Sequence, residues 1–170
     1  MTAELLVLRV VHVLGAIIWV GTSLFMAFLL MPALGTLGPA GGPVVGALHK
    51  RKLFTIIPIV AVLTMLAGAR LMMLTSAGFA AAYFSSRLGK TYTIGALSAL
   101  IAFIVFMSIS HPAIGRIMKL GPQIAQAPDS ERGPLMAEMA ALRARGGMAS
   151  KASALLLTAT AIAMALGRYV

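Results

Sequence analysis

Apolar side chains fill this sequence in four long blocks, and the blocks are continuous rather than alternating, the pattern of membrane-crossing helices and not of a lipid-facing barrel. The first, residues 5–30, is broken only by Arg9 and His12. The second, 53–75, carries Pro58 near its start and Arg70 near its end, and the third, 91–110, holds no charge. The fourth, 152–167, is short, but Lys151 and Arg168 flank it, and long basic side chains reach back to the interface while their stems stay in lipid. A run of about 20 apolar residues matches a hydrocarbon layer of about 30 Å. The pattern therefore predicts an all-α fold: an integral membrane four-helix bundle, one transmembrane domain over residues 1–170.

Between the blocks, Pro32 and the run 35–46, with Pro39, Gly41, Gly42 and Pro43, predict a break and a loop after the first helix. Residues 111–150 form the longest connection. Within it Pro134 marks a start and Gly146 and Gly147 an end, framing a short helix whose Leu135, Met139 and Leu142 share one face. With Arg143 and Arg145 beside that face, the segment is expected to be an interfacial helix lying on the headgroups, the alternative being a solvated connector. No internal repeat stands out beyond the loose similarity of successive spans.

Charge sets the orientation. Lys50, Arg51 and Lys52 fall in the first connection and Arg116, Lys119, Arg132, Arg143, Arg145 and Lys151 in the third, all on one side of a four-span topology, against Arg87, Lys90 and Arg168 on the other. Retained loops carry the excess of Lys and Arg, so both termini are expected outside, in a bacterial-type inner (plasma) membrane. The net charge of +10 lacks the aromatic-basic pattern of nucleic-acid binding, and anionic headgroups account for it, so the expected partner is the lipid bilayer and not nucleic acid. The absence of cysteine excludes disulfides, iron–sulfur clusters and covalent haem attachment in this chain. The first block is too long for a cleavable leader and has no basic segment before it, so it is expected to be an uncleaved anchor.

His12 is the best-placed ionisable group within a span. At helical spacing Arg9, His12, Ala16, Trp19, Ser23 and Met26 share a face, and polar groups at such depth look into protein rather than lipid. His12 follows Glu4 by eight residues, about 12 Å along a helix axis. Arg70 on the antiparallel second helix is expected at a comparable height, next to Met72 and Met73. Imidazole and thioether ligate haem iron or copper, and arginines suit porphyrin propionates, so haem b held by His12 with Arg9, Arg70 and Trp19 is one expectation, and copper on His12 with Met72 or Met73 is another. The plainer alternatives are a His12 hydrogen bond to a neighbouring helix, a snorkelling Arg9, and Trp19 as core packing. No carboxylate within the spans supports a hard cation.

Other signals carry less. His111, before Pro112, is expected at a helix end too far in depth to share an iron with His12, and His49 beside Lys50 at the interface. Small-residue stripes, Thr91, Gly95, Ser98 and Ala102 on the third helix and Thr158, Ala161 and Ala165 on the fourth, predict close helix contacts. Gly89, Lys90 and Thr91 imitate the end of a phosphate-binding loop, but Phe84 stands where its first glycine is required. The 12 methionines are scattered, as flexible core fillers would be.

The stretch Leu8-Arg9-Val10-Val11-His12-Val13-Leu14, then Trp19-Val20-Gly21 and Pro32, then Lys52-Leu53-Phe54, Pro58, Thr64 and Gly68, resembles small membrane proteins of the copper-resistance D type and the HemJ type, the latter haem-binding protoporphyrinogen oxidases. The resemblance covers roughly the first 75 residues. It implies His12 as haem ligand and Arg9 at the basic position three residues before it. Arg9 stands where those chains usually have lysine, and Ala33 follows Pro32 where they have arginine. The expected function is thus b-type haem binding in electron transfer or porphyrin handling, as an oxidoreductase if it is an enzyme. Copper handling and a cofactor-free accessory subunit, packing against other membrane subunits or further copies of itself, are the alternatives.

Overall fold

The computed structural model describes residues 2–169, the side chain of Pro39 excepted. Every regular element in it is helical. In order these are α1 (Ala3–Leu24), a π-turn (Phe25–Leu30), α2 (Met31–Thr36), a 3₁₀ turn (Gly38–Ala40), α3 (Gly41–Lys50), α4 (Leu53–Thr75), α5 (Ala81–Ser85), α6 (Arg87–Val105), a second π-turn (Phe106–Ser110), α7 (His111–Gln126), α8 (Asp129–Leu166) and a closing 3₁₀ turn (Gly167–Tyr169). Where π-turns join neighbouring helices, the result is four spanning helices: Ala3–Thr36, Leu53–Thr75, Arg87–Gln126 and Asp129–Tyr169. The protein is an integral membrane protein of four apolar helices.

The first and second spanning helices pack closely as one hairpin, the third and fourth as another, and the hairpins touch each other less. They meet through Trp19, Ala61, Ala99, Ala102 and Leu157, one or two residues from each spanning helix. Most large apolar side chains face outward, Val10, Ile17, Leu63, Ile94 and Leu155 among them, as lipid contact requires.

Both hairpins are built alike. A Cβ on Gly15 would collide with Thr64 Oγ1, and one on Gly95 would lie 3.1 Å from Ala163 Cβ and 3.5 Å from Thr160 O. Thr64 donates to Val60 O and Thr160 to Gly95 O and Leu156 O. Three residues before each glycine a ring lies over a glycine of the facing helix, His12 over Gly68 and Tyr92 over Gly167. Seventeen residues after each glycine comes a proline, opening Pro32-Ala33-Leu34-Gly35 and Pro112-Ala113-Ile114-Gly115. Each proline lacks an N–H and crowds the carbonyl four residues back, and the chain answers by widening into the π-turn just before it. The repeat is one of contacts, carried by a handful of positions.

Several expected boundaries are corrected. The run 35–46 is no open loop: only Leu37–Ala40 departs from α-helix, and α3 follows at once. No short interfacial helix lies between the third and fourth spans. Residues 134–147 belong to the 38-residue α8, and the connection narrows to Ala127 and Pro128. Gly146 is buried, 3.1 Å from Ala113 Cβ measured from where its own Cβ would stand, so the glycine serves close packing of α8 on α7 rather than a helix end. Met139 and Leu142 accordingly face protein. His111 is likewise not at a helix end but inside the 40-residue third spanning helix. That helix runs about 60 Å, about twice the hydrocarbon layer, so its α7 part projects with the start of α8 as a hairpin on the side rich in Lys and Arg, called here the basic end.

Replacing Gly15 by valine drives α1 off α4 and is expected to cost about 1–3 kcal/mol of stability. Gly21→Val, with nothing within 4 Å of its Cβ position, should be close to neutral. Thermal unfolding in detergent measures the difference, and adding Thr64→Ala to the Gly15 variant should recover part of it.

Candidate functional site

His12 lies half-buried between α1 and α4 with Nδ1 2.9 Å from Thr64 O. A carbonyl oxygen only accepts, so Nδ1 carries the hydrogen and donates. Gly68 makes the approach possible: a Cβ there would sit 2.7 Å from His12 Cε1. The ring thus faces a helix and not lipid, and its hydrogen bond to a neighbouring carbonyl is in place.

The other members of the expected constellation disperse. Arg70 turns to the N-terminal end of α1, where Nε and Nη2 reach Glu4 Oε1 at 2.8 and 2.7 Å, and Nη1 lies 3.6 Å from Met73 Sδ. Both partners are substantially exposed, so the pair ties helix ends together weakly. Arg9 is exposed, Met73 is 42% exposed, and Met72 sits one turn beyond Gly68. Among the described residues no group of three or more His, Cys, Asp or Glu gathers. His49 is exposed beside Phe54, and His111 lies edge-on to Phe106. Trp19 is buried at 6% exposure, edge-on to Phe103 with centroids 6.3 Å apart, on the face of α1 that carries His12 but two turns further along.

Trp19 leads to the feature that the sequence reading missed. A cavity of about 690 Å³ opens between the two hairpins over the half of the protein nearer the basic end. Its floor is apolar: Trp19, Phe54, Ala61, Ala102, Phe103 and Leu157. Its flanks are the two π-turns, through Met26, Ala27, Phe106 and Ser110, and α3 closes part of its mouth. His12 is not in its wall. Small side chains at Ala61, Ala102, Ala113 and Gly146 leave the room, and the wide turns before Pro32 and Pro112 stand at its flanks.

Polar groups in the wall are few. Ser150 Oγ donates to Ser110 Oγ at 3.0 Å, and Ser110 donates to Gly146 O at 3.1 Å. Ser153 Oγ is buried and has no partner among the described residues. The charged lining residues are Arg143 and Lys151, both on α8, with no carboxylate beside them in the wall. From Arg143 to Leu157 the cavity follows α8 for about 21 Å, from beyond the apolar block to well within it. Its Met26, Met31, Met118 and Met139 are adaptable surface for an irregular apolar ligand. The visible signal in the sequence was the pair of Pro-Ala-Leu-Gly and Pro-Ala-Ile-Gly motifs, both of which line the cavity.

No protein family, curated protein or solved structure matches this chain.

The hydrogen bond of His12 has a direct readout. Nitrogen-detected NMR of histidine-labelled protein should show Nδ1 of His12 protonated, and His12→Leu should lower stability by about 1 kcal/mol.

Proposed function

We propose that this protein binds an acidic amphiphile from the leaflet at its basic end, with the polar head at Arg143 and Lys151 and the tail in the cavity between the hairpins. The single observation behind this reading is a cavity whose floor is apolar and whose charged wall residues are both cations. A lipid tail is as apolar as the cavity, so moving it out of the bilayer gains little by itself. Selection therefore falls on the head, where each basic side chain near the interface adds about 1 kcal/mol toward an anionic lipid. With the excess of Lys and Arg retained inside, this leaflet is the cytoplasmic one and both termini lie outside.

Trp19, the sole tryptophan, stands in the cavity floor and reports occupancy. In detergent, an acidic lipid carrying brominated acyl chains should quench its fluorescence, and a zwitterionic lipid with the same chains should do so only at higher concentration. Arg143→Gln with Lys151→Gln should weaken the acidic lipid by roughly tenfold or more, from the two lost charges, and leave the zwitterionic lipid unaffected. Equal quenching by both lipids in the unmodified protein would remove the reading.

A second reading keeps the porphyrin expectation, on one specific ground. A histidine whose Nδ1 donates to a carbonyl presents Nε2 as its acceptor nitrogen, the arrangement that orients metal-ligating histidines, and His12 has that bond. It predicts a Soret band in protein purified from cells supplied with haem, lost in His12→Ala. Copper by elemental analysis without a Soret band would favour the copper alternative instead.

A further inference from the structure

We infer that the amphiphile is a phosphate-headed acyl ester, a glycerophospholipid, and that Ser153 donates a hydrogen bond to its ester carbonyl; this rests on the cavity being the binding site. The starting point is an exception within α8. Hydroxyls on helices at this depth ordinarily bond back to the carbonyl four residues earlier, and Thr158 does so to Ala154 O and Thr160 to Leu156 O, each at 3.0 Å. Ser150 finds Ser110 instead. Ser153 alone among these α8 hydroxyls has no partner among the described residues, although the residue is only 3% exposed and stands in the cavity wall. Buried polar atoms in folded proteins are almost always satisfied, and one left over beside a cavity points to a partner that is not part of the chain.

The depth of Ser153 says what that partner is. It lies about 4.5 Å along α8 beyond Ser150 and about 3 Å beyond Lys151, whose long side chain reaches back toward the mouth. Arg143 stands about 15 Å before it, at the mouth itself. A phosphate between the two cations therefore places the group next below it, the ester linkage, at the level of Ser153. An ester carbonyl accepts and the Ser153 hydroxyl donates, which satisfies both. A free fatty acid held by its carboxylate presents methylene at that level and leaves the hydroxyl bare, as does a phospholipid whose chains are joined through ethers of weak accepting power. Two cations and no anion in the wall favour the doubly charged phosphate monoester in particular.

The test uses the full chain in detergent and displacement of a brominated acidic lipid from Trp19. The competitors are diester phosphatidic acid, its diether analogue with the same chains, and oleic acid. The diester should compete about tenfold better than the diether, and Ser153→Ala should abolish that preference by weakening the diester alone. Ser153→Cys, which keeps the size and a weak donor, should fall between them, and an unchanged melting temperature in both variants excludes a folding defect. Equal competition by diester and diether in the unmodified protein, a preference that survives Ser153→Ala, or stronger competition by oleic acid overturns the ester assignment. If that happens while Arg143→Gln with Lys151→Gln still weakens acidic lipids, the cavity reading stands without it. If no lipid displaces the probe, both fall.

Discussion

A close approach at one end and an enforced separation at the other shape this molecule. Gly15 meets Thr64 where no side chain larger than hydrogen fits, and Gly95 packs tightly on Ala163 and Thr160, bringing the helices of each hairpin together. Helices in lipid have no hydrophobic drive toward one another, so such dispersion contacts, with the bonds that cross beside them from His12 to Thr64 O and from Thr160 to Gly95 O, supply the association. At the basic end Pro32 and Pro112 work the other way. Neither can donate to the α-ladder, the turn before each widens, and the cavity lies beside both. His12 belongs to the tight end and the cavity to the parted end, which is why the imidazole and the cavity do not meet.

The chemistry divides along the same line. Near the termini the polar groups are consumed locally: His12 by a carbonyl, Arg70 by Glu4, Thr64 by its own helix. Near the basic end Arg116 is held by Glu138 and Arg132 by Asp129, whereas Arg143 and Lys151 form no ion pair among the described residues and border the cavity. An apolar chamber with two cations at its rim is matched by a molecule that is itself divided into tail and acid.

Much of the architecture was legible because bilayer physics writes it in long blocks. Four long apolar runs marked four spans, and the depth and spacing of His12 pointed to a ring turned toward a neighbouring helix. What misled were local signals that tertiary contacts override. Gly146 and Gly147 resemble a helix end, yet Gly146 is the place where α8 admits Ala113, and Pro134 sits inside a helix that simply continues. The cavity could not be seen in any single segment, since its wall draws on all four spanning helices and α3. Ser153 is an ordinary serine in sequence and becomes notable only when every nearby acceptor has been assigned.

The π-turns do more than make room. Each adds a residue to one turn of helix and so rotates everything after it by about 100° relative to an uninterrupted α-helix. Ala113 meets Gly146 in that shifted phase. The two wide turns thus behave as angular offsets set in the middle of long rods. In the third spanning helix this sets the face before the turn and the face that meets α8 after it at different angles around one rod.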